Sequence, residues 1–175
     1  VAAAPAAAQS GAVIGIGGGS TIPVGSTSDA LTNGPHGLLS IGFKPPRLPI
    51  VVGVSGMYHR ISGDEAVVGP DIDTQVINGG VDLTAKASRP GMRVLPYAVI
   101  GGGVYNIKAV GSGVPAGTSS VTKFGLNGGV GADFKVNPRL AIFVEGRYHN
   151  VFTTGTDFTM IPISAGVHIA TRAEE

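Results

Sequence analysis

The sequence contains no cysteine and no tryptophan. Without Cys there is neither a disulfide nor a thiolate metal site to hold a fold together. Charge is scarce as well: 13% of residues are Asp, Glu, Lys or Arg, the formal net charge is +1, and Lys and Arg are scattered along the chain. A nucleic-acid surface needs basic residues clustered on one face, so no nucleic-acid partner is expected. A membrane-spanning helix needs roughly 18 or more consecutive apolar residues, and no such run free of charge and helix breakers occurs. The longest uncharged stretch, residues 1–28, is crowded with Gly, Pro and Ser. Long helical periodicity is missing too, which removes the parallel α/β folds.

What is present is apolar character in short pieces. Hydrophobic residues make up 43% of the 175 positions and 29 are glycine, and the mean hydropathy is +0.31. No composition break suggests a second domain. Residues 1–10 are either the small-residue remnant of a secretory signal peptide, with Ala6-Ala7-Ala8 fitting the cleavage pattern, or a flexible Ala/Pro-rich tail. Either reading favours export. Residues 11–171 form the expected domain and residues 172–175 a short tail.

The clearest pattern has a period of two, the signature of a strand. Phe124, Leu126, Gly128, Val130, Ala132 and Phe134 alternate with Gly125, Asn127, Gly129, Gly131, Asp133 and Lys135. Leu140, Ile142, Val144, Gly146 and Tyr148 then alternate with Ala141, Phe143, Glu145, Arg147 and His149. Only the tight turn Val136-Asn137-Pro138-Arg139 lies between them. Ile161, Ile163, Ala165, Val167 and Ile169 alternate with Met160, Pro162, Ser164, Gly166 and His168. Earlier segments, at 12–18, 36–43, 49–60, 74–85 and 93–108, bring the count to about eight. Connections alternate between long (19–35, 61–73, 109–119) and short (around Lys44-Pro45-Pro46-Arg47, Ala87–Gly91 and Asn137-Pro138), with 152–157 shorter than the pattern prefers. Transmembrane barrels combine this asymmetry with strands whose apolar face looks out to lipid and whose polar face looks into the lumen.

The expected fold is therefore an all-β, antiparallel up-and-down transmembrane β-barrel of about eight strands. Its lipid-facing set is Leu126, Val130, Phe134, Leu140, Ile142, Val144, Tyr148, Ile161, Ile163, Val167 and Ile169. Its lumenal polar set is Asp82, Asp133, Lys135, Glu145, Arg147 and His168. An eight-stranded barrel is just wide enough inside for side chains, and charges removed from water need partners. A salt-bridge network is thus expected there, ahead of an ion path.

The stretches 96–105 (PYAVIGGGVY), 125–134 (GLNGGVGADF) and 143–148 (FVEGRY) resemble the small outer-membrane β-barrel superfamily of the OmpA and OmpX type. The resemblance covers nearly the whole chain. It implies a bacterial outer-membrane location with both termini periplasmic, outer-membrane lipid as surroundings, and no cofactor. It says nothing of activity. Two departures stand out: the last strand ends on Ile169 where this family usually places a final aromatic, and aromatics are only 6% of the chain. The girdle candidates are Phe43, Tyr58, Tyr97, Tyr105, Phe124, Phe134, Tyr148 and Phe158. Both departures favour a barrel supported by protein partners in an envelope complex.

No catalytic or metal residues are assigned. His149 and Glu145, four apart on one face, are the nearest approach to an acid/base pair, and no compact His and Ser pairing is evident. Asp71 and Asp73, with Asp64 and Glu65 nearby, lack EF-hand spacing. Gly17-Gly18-Gly19-Ser20 lacks the Lys and following helix of a phosphate loop. The glycines Gly101, Gly103, Gly128 and Gly146 are expected on the outer wall, where they would permit close contact with a neighbour. The leading function is a non-catalytic structural or interaction barrel. Behind it stand a small channel, a lipid-modifying enzyme using His149 and Glu145, and a soluble lipocalin-type barrel with inverted faces.

Overall fold

The computed structural model describes residues 11–45, 50–69, 71–87, 91–112, 114 and 120–171. The expected leader or tail at 1–10, the tail at 172–175 and the middles of the connections at 46–49 and 88–90 lie outside the described residues. Eight strands follow in chain order: β1 (Ala12–Pro23), β2 (Gly34–Phe43), β3 (Ile50–Ser62), β4 (Asp73–Lys86), β5 (Val94–Val110), β6 (Val121–Asn137), β7 (Leu140–Val151) and β8 (Phe158–Ala170). Each pairs antiparallel with its sequence neighbours, and β1 with β8 closes the barrel from Val13↔Ala170 to Pro23↔Met160. Closure leaves no sheet edge, so every strand finds both ladders within the chain.

The strands run further toward the loop end than alternation alone suggests. β1 continues past Gly18 through Ser20, Thr21 and Ile22 to Pro23, because Thr21 is an inward residue paired on both sides, with Gly34 and Pro162. Pro23 stands at the strand's end, where a missing N–H costs least. Two of the loops carry short elements, a 3-10 turn (Gly25–Asp29) and one helical turn, α1 (Glu65–Val68). Asp64 caps α1 by accepting from the Ala66 amide at 3.0 Å. At the opposite end the β6–β7 turn is an Asx turn: Asn137 Oδ1 accepts from the amides of Arg139 (2.8 Å) and Leu140 (2.9 Å).

The faces are inverted relative to a water-soluble barrel. On β7, Val144 and Tyr148 are 47% and 48% exposed while Glu145 and Arg147 are 4% and 6% exposed. Large apolar side chains stand outward on all eight strands, Ile16, Leu39, Val54, Val81, Ile100, Val130, Val144 and Ile163 among them. That arrangement removes the lipocalin-type alternative, whose exterior would be polar.

β5 corrects two expectations. Tyr97 and Tyr105 are not girdle residues; both point inward and are buried, on the same face as Leu95 and Val99. Gly101 and Gly103 share that inward face, so only Gly128 and Gly146 remain of the four glycines expected outside. A Cβ at Gly101 would collide with the Asp82 carboxylate, and its glycine is what lets Asp82 sit in the lumen. Phe43, Tyr58, Phe124, Phe134 and Tyr148 do stand exposed, and Phe124 stacks on Phe152 with centroids 6.3 Å apart. Phe158 is half-buried against the apolar residues at the loop end.

A layered lumen as the candidate functional site

Because inward residues recur every second position and the strands are in register, the lumen is built in layers, and each layer draws on several strands. The layer nearest the short turns and the chain ends holds charge. Lys86 Nζ (β4) donates to Asp133 Oδ2 (β6) at 2.6 Å, and His168 Nδ1 (β8) lies 2.8 Å from Asp133 Oδ1. Lys86 also lies over the Tyr97 ring, 5.6 Å from its centre, and His168 stacks on Phe143 at 4.3 Å. Lys135 is half-buried at the rim beside this group and makes no ion pair among the described residues.

The next layer centres on Arg147. Its Nη1 donates to Asp82 Oδ2 at 3.0 Å, its Nη2 to Glu145 Oε2 at 3.3 Å, and its Nε to Glu145 Oε1. Glu145 and Arg147 are two apart on one strand and therefore share a face, which lets the guanidinium fork engage both carboxylate oxygens. Ser55 donates to the same Asp82 oxygen at 2.5 Å. A cavity of about 60 Å³ lies between the two charged layers, bordered by Ser40, Asp82, Lys86, Tyr97, Arg147 and His168. Asp82 Oδ1 and the Tyr97 hydroxyl are buried without a protein partner. The space suits a few water molecules rather than a solute.

Above this comes a layer of histidines. Thr21 Oγ1 lies 3.1 Å from His36 Nδ1 and 2.7 Å from His59 Nδ1; His36 Nε2 is 2.8 Å from Ser164 Oγ, and His59 Nε2 is 3.1 Å from Asn78 Oδ1. Asn78 Oδ1 can only accept, so His59 must carry its proton on Nε2. With neutral imidazoles the rest of the chain follows from that. Thr21 donates to His59, His36 Nδ1 donates to Thr21, and Ser164 donates to His36. One direction of donation satisfies five side chains from β8, β1, β2, β3 and β4 with both imidazoles neutral. His149 stands apart from the chain, with Nδ1 2.8 Å from the Tyr105 hydroxyl and Nε2 without a partner.

The loop end is closed by packing. Ile61, Val76, Val151 and Met160 are all 0% exposed and pack with Tyr105, flanked by Leu31, Ile107 and Phe158.

Of the six residues expected in the lumenal set, the fold joins Asp82, Glu145 and Arg147 in one group and Asp133 and His168 in another, and leaves Lys135 at the rim. The pairing of His149 with Glu145 does not form. Residues four apart on a strand are separated by about 13 Å, and these two belong to different layers with different partners. Conversely, a compact His–Ser pair does exist, His36 with Ser164, from positions 128 apart in sequence. It lacks a carboxylate behind the histidine, and Ser164 is 2% exposed beneath the apolar seal. Nothing can reach that hydroxyl to be attacked. At the loop end, Asp73 of β4 is taken by Arg60 of β3 at 2.9 Å and Asp71 by Ser112 at 3.0 Å. Among the described residues no group of three or more His, Cys, Asp or Glu is placed to hold a metal ion.

Sequence reasoning missed Thr21, Ser55, His36, His59, Asn78, Lys86 and Ser164. The usable signal was parity: each sits on the face of its strand opposite the exposed apolar residues, though Leu38, Met57, Ile61 and Val76 share the inward face of β2, β3 and β4 and blur that signal.

Comparison with known proteins agrees with this architecture. A family profile described as "Outer membrane protein beta-barrel domain" matches residues 1–168. No sequence among curated proteins matches this chain. The chain is similar in structure to Neisserial surface protein A (NspA), with a TM-score of 0.71 at 16% identity, covering 91% of this chain and 96% of that one. It is similar to the N-terminal β-barrel domain of Pseudomonas aeruginosa OprF, with a TM-score of 0.57 at 14% identity over 93% and 97%. It is also similar to Ail, the attachment invasion locus protein of Yersinia pestis, with a TM-score of 0.51 at 21% identity over 91% and 97%. At these identities the likeness concerns the fold.

Proposed function

Because this chain belongs to the outer membrane protein β-barrel family, we propose that it is a non-catalytic barrel of the bacterial outer membrane that holds its four loops at the outer face for contact with partners, as one component of an envelope assembly. The termini and short turns then lie on the periplasmic side. Leu126, Val130, Phe134, Leu140, Ile142, Val144, Tyr148, Ile161, Ile163, Val167 and Ile169 face lipid, and Asp82, Asp133, Glu145, Arg147 and His168 brace the lumen, with Lys135 at its periplasmic rim.

The observation that carries this reading is the filled and capped lumen. A conducting path would have to cross the Ile61, Val76, Val151 and Met160 layer, which is fully buried and apolar, and an enzyme would need its nucleophile within reach of substrate. The closed scaffold leaves the loops and the outer wall as the surfaces available for function. Planar-bilayer recording on the reconstituted protein should show no unitary conductance, and steady single-channel currents would replace this reading with the channel. Cross-linking in intact outer membranes should yield a discrete higher-mass species; a species that stays monomeric at every cross-linker dose would remove the assembly part of the proposal.

A further inference from the structure

Charges that look scattered along the sequence are sorted by the fold to opposite ends of the barrel. In an up-and-down barrel alternate connections meet at the same end, so residues far apart in sequence share one rim. The loop rim carries Asp29, Asp64, Glu65, Asp71, Asp73 and Asp157 against Arg60, Lys108 and Lys123. The turn rim is the reverse. Among the described residues it carries Lys44, Arg93, Lys135 and Arg139. Its one acid among the described residues, Asp133, lies inside the lumen and is held by Lys86 and His168. Arg172, Glu174 and Glu175 follow β8 outside the described residues.

The turn-rim cations are placed at a boundary. Lys44 directly follows the exposed Phe43, and Arg93 directly precedes the exposed Val94, which pairs with Phe134. Arg139 lies in the turn after the exposed Val136, whereas Lys135, of inward parity between Phe134 and Val136, stands at the lumen mouth and lies outside this set. Their backbones belong to the barrel frame: the Lys135 amide donates to the Arg93 carbonyl and the Ala170 amide to the Arg139 carbonyl, each at 2.8 Å. Lys44, Arg93 and Arg139 are exposed. The result is a fixed ring of cations at the edge of the outward apolar band, the depth at which lipid headgroups lie.

We propose that this ring binds the anionic headgroups of phospholipids in the leaflet at the turn end, gathering a negatively charged annulus around that rim. The inference rests on the membrane reading above and adds a lipid preference to it. Phospholipid fits better than a cell-wall polymer because the cations border the apolar band on short connections instead of projecting from it. Surface cations of this kind strengthen binding to an anionic membrane by about fivefold each.

The test uses the full chain. Folding into phosphatidylcholine vesicles, seen as a heat-sensitive shift in gel mobility, reports on the barrel reading by itself; failure there overturns that reading and this one with it. Native mass spectrometry of the detergent-solubilised protein, titrated with phosphatidylglycerol or phosphatidylcholine, reports on the inference. Phosphatidylglycerol should be retained preferentially. The preference should vanish in the K44Q/R93Q/R139Q variant and survive in K108Q/K123Q at the opposite rim. Equal retention of the two lipids by the parent protein, or an unchanged preference in the triple variant, overturns the proposal. Should that variant fail to fold, salt decides: a preference that persists undiminished in about 1 M ammonium acetate, where the screening length is about 3 Å, refutes it. Retention of isolated cell-wall sacculi that depends on the three cations, without any lipid preference, assigns the rim to the polymer and also refutes it.

Discussion

The two halves of the lumen solve one problem in opposite ways. Toward the turns, three carboxylates (Asp82, Asp133, Glu145) meet Arg147 and Lys86 in short ion pairs around a small cavity, with His168 hydrogen-bonded to Asp133. Toward the loops, Thr21, His36, His59, Asn78 and Ser164 form a hydrogen-bonded chain that needs no charge, directly under an apolar seal. The placement follows from solvation. Ionised groups bear less desolvation cost near an open mouth, whereas beneath packed Ile, Val and Met a charge would lose its water without recompense. Neutral imidazoles can both donate and accept, so they fill the dry layer without leaving a charge to be balanced.

The largest expected effect breaks the ionic half. Arg147→Met leaves Asp82 and Glu145 facing each other in a buried site without their cation, and removing one member of a buried ionic group costs about 3–5 kcal/mol. Urea unfolding in lipid vesicles should register that loss. The neutralised triple variant D82N/E145Q/R147M should recover most of it, since no charge is then stranded. A triple variant as unstable as R147M would show that shape, rather than charge balance, governs this layer.

A smaller effect is expected in the neutral half. His59→Leu keeps the volume but deprives the Thr21 hydroxyl and Asn78 Oδ1 of their partner, and each unsatisfied buried group costs about 1–3 kcal/mol. Thr21 retains His36, which tempers the loss, so the variant should be clearly milder than R147M in the same unfolding experiment. A loss equal to that of R147M would erase the distinction between the halves.

The ionic half was the more legible in sequence, for a geometric reason. β6, β7 and β8 alternate cleanly, and period two alone puts Asp133, Glu145, Arg147 and His168 on the inner face. The histidine layer was hidden because it is a property of register: its five members come from five strands, and no local window contains two of them. The spacing of Glu145 and His149 misled because i, i+4 proximity belongs to helices. Tyr97 and Tyr105 misled because β5 is apolar on both faces, leaving period two with nothing to contrast. Charge sorting between the rims was invisible for the same reason as the histidine layer, since it needs the topology before the residues can be added up.

The smallest expected effect tests where the ionic half ends. Lys135 shares the inward parity of Asp133, yet it sits at the rim, half-exposed, and Asp133 already has Lys86 on one oxygen and His168 on the other. A further cation adds little to a carboxylate whose oxygens are both engaged, and a partly hydrated ammonium at the mouth is screened by salt. Lys135→Gln should therefore change unfolding free energy by no more than about 0.5 kcal/mol. The same substitution at Lys86 removes a direct 2.6 Å ion pair from a mostly buried site and should cost distinctly more. If the two variants were equally destabilised, Lys135 would belong to the lumenal network itself and the boundary between lumen and rim would move outward by one layer.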